Sequence, residues 1–271
     1  MALLDIMDAV SQKQVTKTAL GDERITGVVV GIVAENYDEK MPGRVCVNVP
    51  VRDEGANELK WAKVAAFSRG KNWGDYFIPE KQDQVLLAFE NGNIEKPYVI
   101  GCISRDNDSF LRKCADEKNK NKKIVTRNGS YILFEDGGEE KGGEQDRITI
   151  ATSQDTHKMV LDNENQKMIL TDKQNNCHVE MFTEDGRMEI KAAKKLIFEV
   201  GDNIKVILDG DSGAIRVQAD KFVVETSGNI GMEADGNIRM SGGQIMAEAS
   251  SVVKLDSSEM VKITGNPIKL G

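Results

Sequence analysis

Four cysteines and two histidines are the residues of this chain best suited to metal or nucleophilic chemistry. No two cysteines have the C-x-x-C spacing typical of zinc sites, and His157 and His178 are far apart in sequence. This spacing excludes a zinc knuckle and a His-rich metal centre, so we expect neither a metal nor a cofactor. Free thiols of a chain that folds in reducing cytosol are the expected state of Cys46, Cys102, Cys114 and Cys177.

Two other sets of residues could in principle form a calcium loop and a nucleic-acid-binding groove. Asp209-Gly210-Asp211 lacks the remaining ligands of an EF-hand loop. Aromatic rings beside basic side chains can stack on bases, and the candidates are Trp61, Phe67, Trp73, Tyr76 and Phe77, with Lys60, Lys63, Arg69 and Lys71. The net charge is −8 and the pI about 5.1, whereas nucleic-acid-binding domains usually have a pI above about 9. We therefore expect these rings to pack a domain core and its long loop, with no nucleic-acid partner.

The composition favours extended strands over a thick globular core. Of 271 residues, 39% are hydrophobic and only 5% aromatic, with 25 glycines. No apolar run approaches the roughly 18 residues of a membrane-spanning helix. The first residues, MALLDIMDAVSQKQ, lack the basic start of a secretory signal. A short helix or arm is expected over 1–24, with a frayed terminus as the alternative.

Five β-rich runs separated by turn formers lie between residues 25 and 104. They are ITGVVVGIVAEN, GRVCVNVPV, KWAKVAAF, QVLLAFE and KPYVIGCIS. The valines of the second run alternate with other residues, which is the period of a half-buried strand. Five short strands in one such segment predict a small barrel or sandwich. A polar linker and neck follow over 105–147, with a two-residue hairpin turn at Asn128-Gly129.

From 148 to 271 the chain is repetitive, with apolar residues two positions apart recurring at steps of eight. A strand of four or five residues and a tight turn account for such a unit, and the strands must stack to bury their apolar sides. The predicted core residues are Ile204, Val206, Phe222, Val224, Ile230, Met232, Ile238, Met240, Val253, Leu255, Val261 and Ile263. Either three repeats of one chain close a coil or three chains each supply one face. We favour three intertwined chains, because one or two inward residues per repeat suit a narrow shared core.

Residues 28–104 resemble the OB-fold domain of contractile-tail spike proteins, which include phage baseplate assembly protein V and the spike part of VgrG proteins. The resemblance rests on several short motifs that occur in the same order along the segment, and not on one motif alone. They include V-x-G-x-V at 29–33, G-R-V at 43–45, G-x-x-W-G at 70–74, V-L-L-A-F at 85–89 and P-Y-V-I-G at 97–101. The family motif positions are Gly43, Arg44, Val45, Trp61, Trp73, Gly74, Pro79, Pro97 and Gly101.

The resemblance implies an all-β homotrimer, with a five-stranded OB-fold barrel followed by an intertwined triple-stranded β-helix. Its function would be structural: a baseplate spike that sheath contraction drives through a target membrane, with no catalysis. It would fold in the cytoplasm before joining the contractile particle. Departures narrow the expected type. Only about 25 residues precede the OB segment, so the hub is expected to be a separate protein, and the interval 105–145 is too short for a lysozyme domain.

The resemblance also implies a PAAR-type tip protein as a partner, since members of the family often carry one and no His-x-His for an iron-binding apex follows His178. It would sit on a platform formed by Pro267, Ile268 and Leu270. Effectors are possible further partners. Two alternatives stay open at this point: a single-chain β-helix enzyme such as an acyltransferase, with His157 as its candidate base, and an OB-fold nucleic-acid-binding protein.

Overall fold

A computed structural model of the protein describes residues 24–49, 59–106 and 108–269. The chain divides into two compact units, Met1–Leu196 and Ile197–Gly271. The predicted N-terminal arm, apart from Arg24, and the platform residue Leu270 lie outside the described residues.

Five strands form a closed barrel in the first unit. They are β1 (Val29–Glu35), β2 (Arg44–Asn48), β3 (Leu59–Val64), β4 (Gln84–Phe89) and β5 (Pro97–Ile103). Their order around the barrel is β1-β2-β3-β5-β4, with β3 and β5 parallel and the other described pairs antiparallel. This confirms the predicted all-β class with a five-stranded OB-like barrel.

Branched aliphatic side chains fill the barrel because every second strand residue points inward. The largest fully buried side chains are Val33, Val45, Val47, Val85, Leu87 and Val99. Gly31 is required by this packing, since a Cβ there would lie 2.6 Å from Cδ1 of Leu87.

A short helix, α1 (Ser109–Cys114), leads from the barrel to the next strands. The Asp108 carboxylate caps it by accepting from the backbone N–H of Phe110 at 2.7 Å and of Leu111 at 3.4 Å. None of the helices in the part of the chain that the structure describes is long and apolar enough to cross a membrane.

Seven consecutive antiparallel strands form a second sheet, in simple meander order. They are β6 (Asn121–Val125), β7 (Tyr131–Glu135), β8 (Arg147–Ala151), β9 (His157–Asp162), β10 (Lys167–Asp172), β11 (Cys177–Phe182) and β12 (Arg187–Ala192). The boundary between the predicted neck and the predicted rod, at 147/148, falls inside this sheet. Strands were expected on both sides of it, but not as one continuous sheet.

The first hairpin of this sheet forms as predicted, but its turn is one residue longer. Thr126 N–H donates to the Ser130 carbonyl at 2.8 Å, and Gly129 N–H donates back to Thr126 at 2.9 Å. Gly129 has φ +93°, the left-handed conformation that closes three-residue hairpin loops. The two-residue turn was therefore wrong because Arg127 joins Asn128 and Gly129 in the loop.

A three-stranded sheet follows, in the order β13 (Lys195–Val200), β14 (Ile204–Asp209) and β15 (Ala214–Gln218). Beyond it, the described residues 219–269 contain no strand, and every residue from 220 to 269 is exposed. The Asn266–Pro267 peptide bond is cis. The boundaries proposed for the rod stay predictions.

Candidate interaction surfaces

The family motif positions of the barrel fall into buried supports and exposed loop residues. Val45, Pro79 and Pro97 are buried, Gly43, Arg44, Trp61 and Gly101 are half-buried, and Trp73 and Gly74 are exposed. Gly74 is sterically required, because its φ is +140° and a Cβ would lie 2.7 Å from the Ser68 carbonyl oxygen. A Cβ at Gly101 would meet no atom within 4 Å, so the structure gives no steric reason for glycine there.

The loop between β3 and β4 exposes four of the aromatic rings that were expected to pack inside. The exposed fraction is 105% at Phe67, 65% at Trp73, 70% at Tyr76 and 68% at Phe77. Packing of these rings in the barrel was therefore a wrong interpretation, and only Trp61 is half-buried. The sequence could not show this, because the loop folds on backbone hydrogen bonds instead of ring burial.

Those backbone contacts give the loop a defined shape. Gly70 N–H donates to the Trp73 carbonyl at 2.8 Å, and Ser68 N–H donates to the Asp75 carboxylate at 2.9 Å. Hydrogen bonds from the backbone, that of Ser68 first, lower the pKa of Asp75. The rings are thus displayed by a structured hairpin, which is a suitable arrangement for contact with another protein surface.

Three of the four basic residues near these rings contact acceptors or rings of the barrel and its loop. Lys60 Nζ lies 2.6 Å from Glu95 Oε1, and Arg69 donates to the Asp75 carbonyl at 2.8 Å. Lys63 lies 5.8 Å from the centre of the Tyr98 ring. The surface is therefore a mixture of both charges, unlike the basic groove of a single-strand binder.

One face of the seven-stranded sheet, here called the apolar face, carries two rows of side chains that cross every strand. The strand registers place Phe134, Ile148, Leu161, Met168, Met181 and Met188 in one row, after Lys122. The second row is Ile124, Ile132, Ile150, Met159, Leu170, Val179 and Ile190. Eight of these thirteen side chains are exposed, including Leu170 at 53% and Met188 at 55%. An exposed patch of this extent marks an interaction surface.

The opposite face, here called the charged face, carries one row in which the sign of the charge alternates across most of the strands. This row runs Glu135, Arg147, Asp162, Lys167, Phe182 and Arg187. Lys167 and Arg187 lie over the Phe182 ring, at 4.5 and 3.7 Å from its centre. This row stabilises the single-chain sheet without using the apolar face.

The predicted trimer-core residues lie in two settings. Ile204 and Val206 are on β14, where Val206 faces Val217 of β15. The other ten lie in the strandless segment and are all exposed, with Phe222 at 72% and Ile238 at 56%. Pro267 and Ile268 of the predicted tip platform are also exposed. Within the described single chain, no strand brings these residues together.

A possible metal-binding group was missed by the sequence analysis. His178, Glu180 and Glu189 each offer one ligand atom, and these atoms lie within 4.8 Å of one another on the charged face. The signal in the sequence is the alternation His178-x-Glu180 within a strand, but Glu189 joins the group only through strand pairing.

Comparison with known proteins finds similarities to the barrel segment. Residues 29–103 match the type VI secretion system/phage-baseplate injector OB domain. Over 81 residues the chain is 33% identical to the type VI secretion system spike proteins VgrG1a, VgrG1b and VgrG1c of Pseudomonas aeruginosa. This alignment covers 29% of the chain, 13% of VgrG1a and 11% of the other two, so the match spans about a tenth of each relative. Residues 29–103, which hold the whole five-stranded barrel, are thus similar to the type VI secretion system/phage-baseplate injector OB domain.

Proposed function

We propose that this protein is the structural central spike of a contractile injection system. Three copies assemble through the apolar face and through the segment 220–269, which forms an intertwined β-helix. The role is mechanical and not catalytic. An intertwined rod resists load because opening one strand breaks contacts with two other chains.

The observation that carries the proposal is the exposed, strandless segment 220–269. Holding backbone in one conformation costs about 1–2 kcal/mol per residue, and an uncovered segment offsets none of this by burial. Its apolar pairs nevertheless recur at steps of eight, as in Ile230/Met232 and Ile238/Met240. Partner strands from other copies would supply both the hydrogen bonds and the apolar cover that the single chain lacks.

The apolar face of the seven-stranded sheet supports the same assembly independently. One of its rows is apolar through all seven strands and the other through six, following Lys122 on β6, so three copies facing a common axis would enclose a continuous core. Burial contributes about 25 cal/mol per Å² of apolar surface. The charged face would then point outward, which suits its ion pairs.

The partners we propose follow from the spike function. A separate hub protein holds the spike in the baseplate, and a PAAR-type tip binds the platform at Pro267, Ile268 and Leu270. Effectors are carried with the tip, and the target membrane is contacted transiently. The protein folds in the cytoplasm and becomes part of the contractile particle.

The oligomeric state tests the assembly directly. Light scattering of the purified full chain should give a mass near three times 29.9 kDa, and the species should persist in detergent without boiling. A monomer at the same concentration would contradict the proposal, because both apolar surfaces would then be stable in water.

The tip platform needs its own experiment. The spike, with and without residues 265–271, should be used to capture a PAAR-type protein expressed beside it. We expect capture to be lost on truncation while the trimer mass is unchanged. Equal capture by both forms would refute the platform.

The enzyme alternative finds less support in the described strands. A single-chain β-helix stacks its coils in parallel, whereas β6 to β12 form an antiparallel meander. His157 begins β9 as an exposed residue, and its backbone exchanges hydrogen bonds with Thr152. These hydrogen bonds close the loop between β8 and β9.

A further inference from the structure

The charged face holds a group of side chains that the spike function does not use. His178 and Glu180 are two positions apart on β11, so both point to this face. Glu189 on β12 is the direct cross-strand partner of Glu180. One potential ligand atom from each lies within 4.8 Å of the other two.

The pairing of Glu180 with Glu189 is unusual, because like charges directly opposite each other destabilise a sheet. Two cations partly compensate it. Lys167 Nζ lies 2.9 Å from Glu180 Oε1, and Arg187 contacts Glu189 Oε1. A carboxylate has two oxygens, so an ion pair through one is compatible with metal ligation through the other. A divalent cation between the carboxylates would turn their repulsion into attraction.

The ring of His178 is oriented as metal-binding histidines usually are. Its Nδ1 lies 2.7 Å from the side-chain oxygen of Asn175. An amide oxygen only accepts, so a hydrogen bond here requires the tautomer with the proton on Nδ1, which leaves the lone pair on Nε2. Metal-ligating histidines commonly donate their second ring N–H to an oxygen in this way, which fixes the tautomer and the ring orientation.

The donor set indicates which metal the group would take. One imidazole and two carboxylates suit zinc or a similar first-row divalent ion, whereas magnesium and calcium prefer oxygen ligands alone. Zinc holds such ligands at about 2.0–2.2 Å, so atoms already within 4.8 Å of one another need only small side-chain rotations. Water would complete the coordination.

We propose that His178, Glu180 and Glu189 form a Zn²⁺ site that ties β12 to β11. Because β12 is the edge strand of the seven-stranded sheet, a bound ion would hold the strand that has a neighbour on one side only. A ligand that binds only the folded chain stabilises it. The site lies within one chain, so its occupancy does not depend on trimer formation.

The experiment is titration of the metal-stripped full-length chain with Zn²⁺, followed by calorimetry, and with Co²⁺, followed by visible absorption. We expect one ion per chain. His178→Gln should weaken binding by about tenfold or more, and so should Asn175→Ala, since losing such an outer partner typically costs 10–100-fold.

Two matched variants separate this site from other zinc ligands. His157→Gln removes the other histidine. Cys177→Ala removes the thiol next to His178; the Cys177 side chain lies on the apolar face, opposite to the proposed site. Both variants should bind Zn²⁺ as tightly as the parent. No binding by the parent, or equal binding by His178→Gln and the parent, would overturn the site. Light scattering on the same samples reports trimer formation separately, so a failed metal site and a failed spike assembly are distinguishable.

Discussion

Arg147 and Asp162 face each other directly across β8 and β9, and the guanidinium Nε donates to Asp162 Oδ2 at 3.1 Å. The Asp162 side chain is only 5% exposed, whereas that of Arg147 is 43% exposed. Asp162 also accepts from the backbone N–H and the side-chain amide of Asn165, both at 3.0 Å. One buried carboxylate therefore joins two strands and closes the turn after β9.

Replacing this carboxylate should destabilise the sheet. In Asp162→Asn, an NH2 group that only donates replaces one of the two acceptor oxygens, so part of the set of hydrogen bonds from Arg147 and Asn165 is lost. A buried group left without partners costs about 1–3 kcal/mol. Asp136→Asn is the matched control, because Asp136 pairs with Lys122 where both side chains are about half exposed; exposed pairs contribute about 0–1 kcal/mol. Denaturant unfolding of both variants measures the difference, and equal losses would contradict the role of Asp162.

The same residue should make stability depend on acid. Burial by itself raises the pKa of Asp162, but hydrogen bonds from Arg147 and Asn165 outweigh it and lower the pKa to about 2. An unfolded aspartate has a pKa of about 3.9. Stability from this group is therefore fully present above about pH 5 and is lost as the pH falls toward 2, and it amounts to about 2–3 kcal/mol.

Unfolding of the parent and of Asp162→Asn should be followed from pH 5 to pH 2. Asp116 and Asp172 also have lowered pKa values, so both proteins lose stability in acid. The free energies of unfolding of the parent and the variant should converge as the pH falls, because the parent loses the stability that ionised Asp162 contributes. Parallel curves would show that Asp162 titrates as in an unfolded chain.

The apolar face should matter for assembly and not for the fold of one chain. Leu170 is already 53% exposed in the single chain, so Leu170→Asp should leave the sheet intact while placing a carboxylate in the shared core. We expect the mass by light scattering to fall toward the monomer. Lys173→Asp, an exposed position in the next turn, should assemble normally; if both variants remain trimeric, the apolar face does not form the interface.

The C-terminal segment gives a sharper test of register. Ile238→Asp would place three carboxylates in one layer of the intertwined core, where unpaired charges are strongly unfavourable. Assembly should weaken and the detergent-resistant species should disappear. Arg239→Asp introduces the same residue one position later, on the side expected to face solvent. A melting temperature of Ile238→Asp close to that of the parent would show that Ile238 faces outward.

The barrel and its family could be predicted from the sequence because both depend on local patterns. Alternating valines specify strands with one buried side. The short motifs between Val29 and Gly101 lie within the segment 29–103 that matches the OB-domain family. The apolar pairs downstream likewise show which side chains share a face, since the strand period is two. The composition correctly favoured strands over a thick core.

Pairing partners were decided only by the tertiary structure. A period of two gives the face of a residue but not the strand beside it, so β6 to β12 pair within the chain while 220–269 finds no described partner strand, although both carry similar apolar pairs. The exposure of Phe67 and Trp73 depends on loop hydrogen bonds, and the meeting of His178 with Glu189 depends on register. The Arg147–Asp162 pair also arises from register, because residues distant in sequence become neighbours only when two strands align.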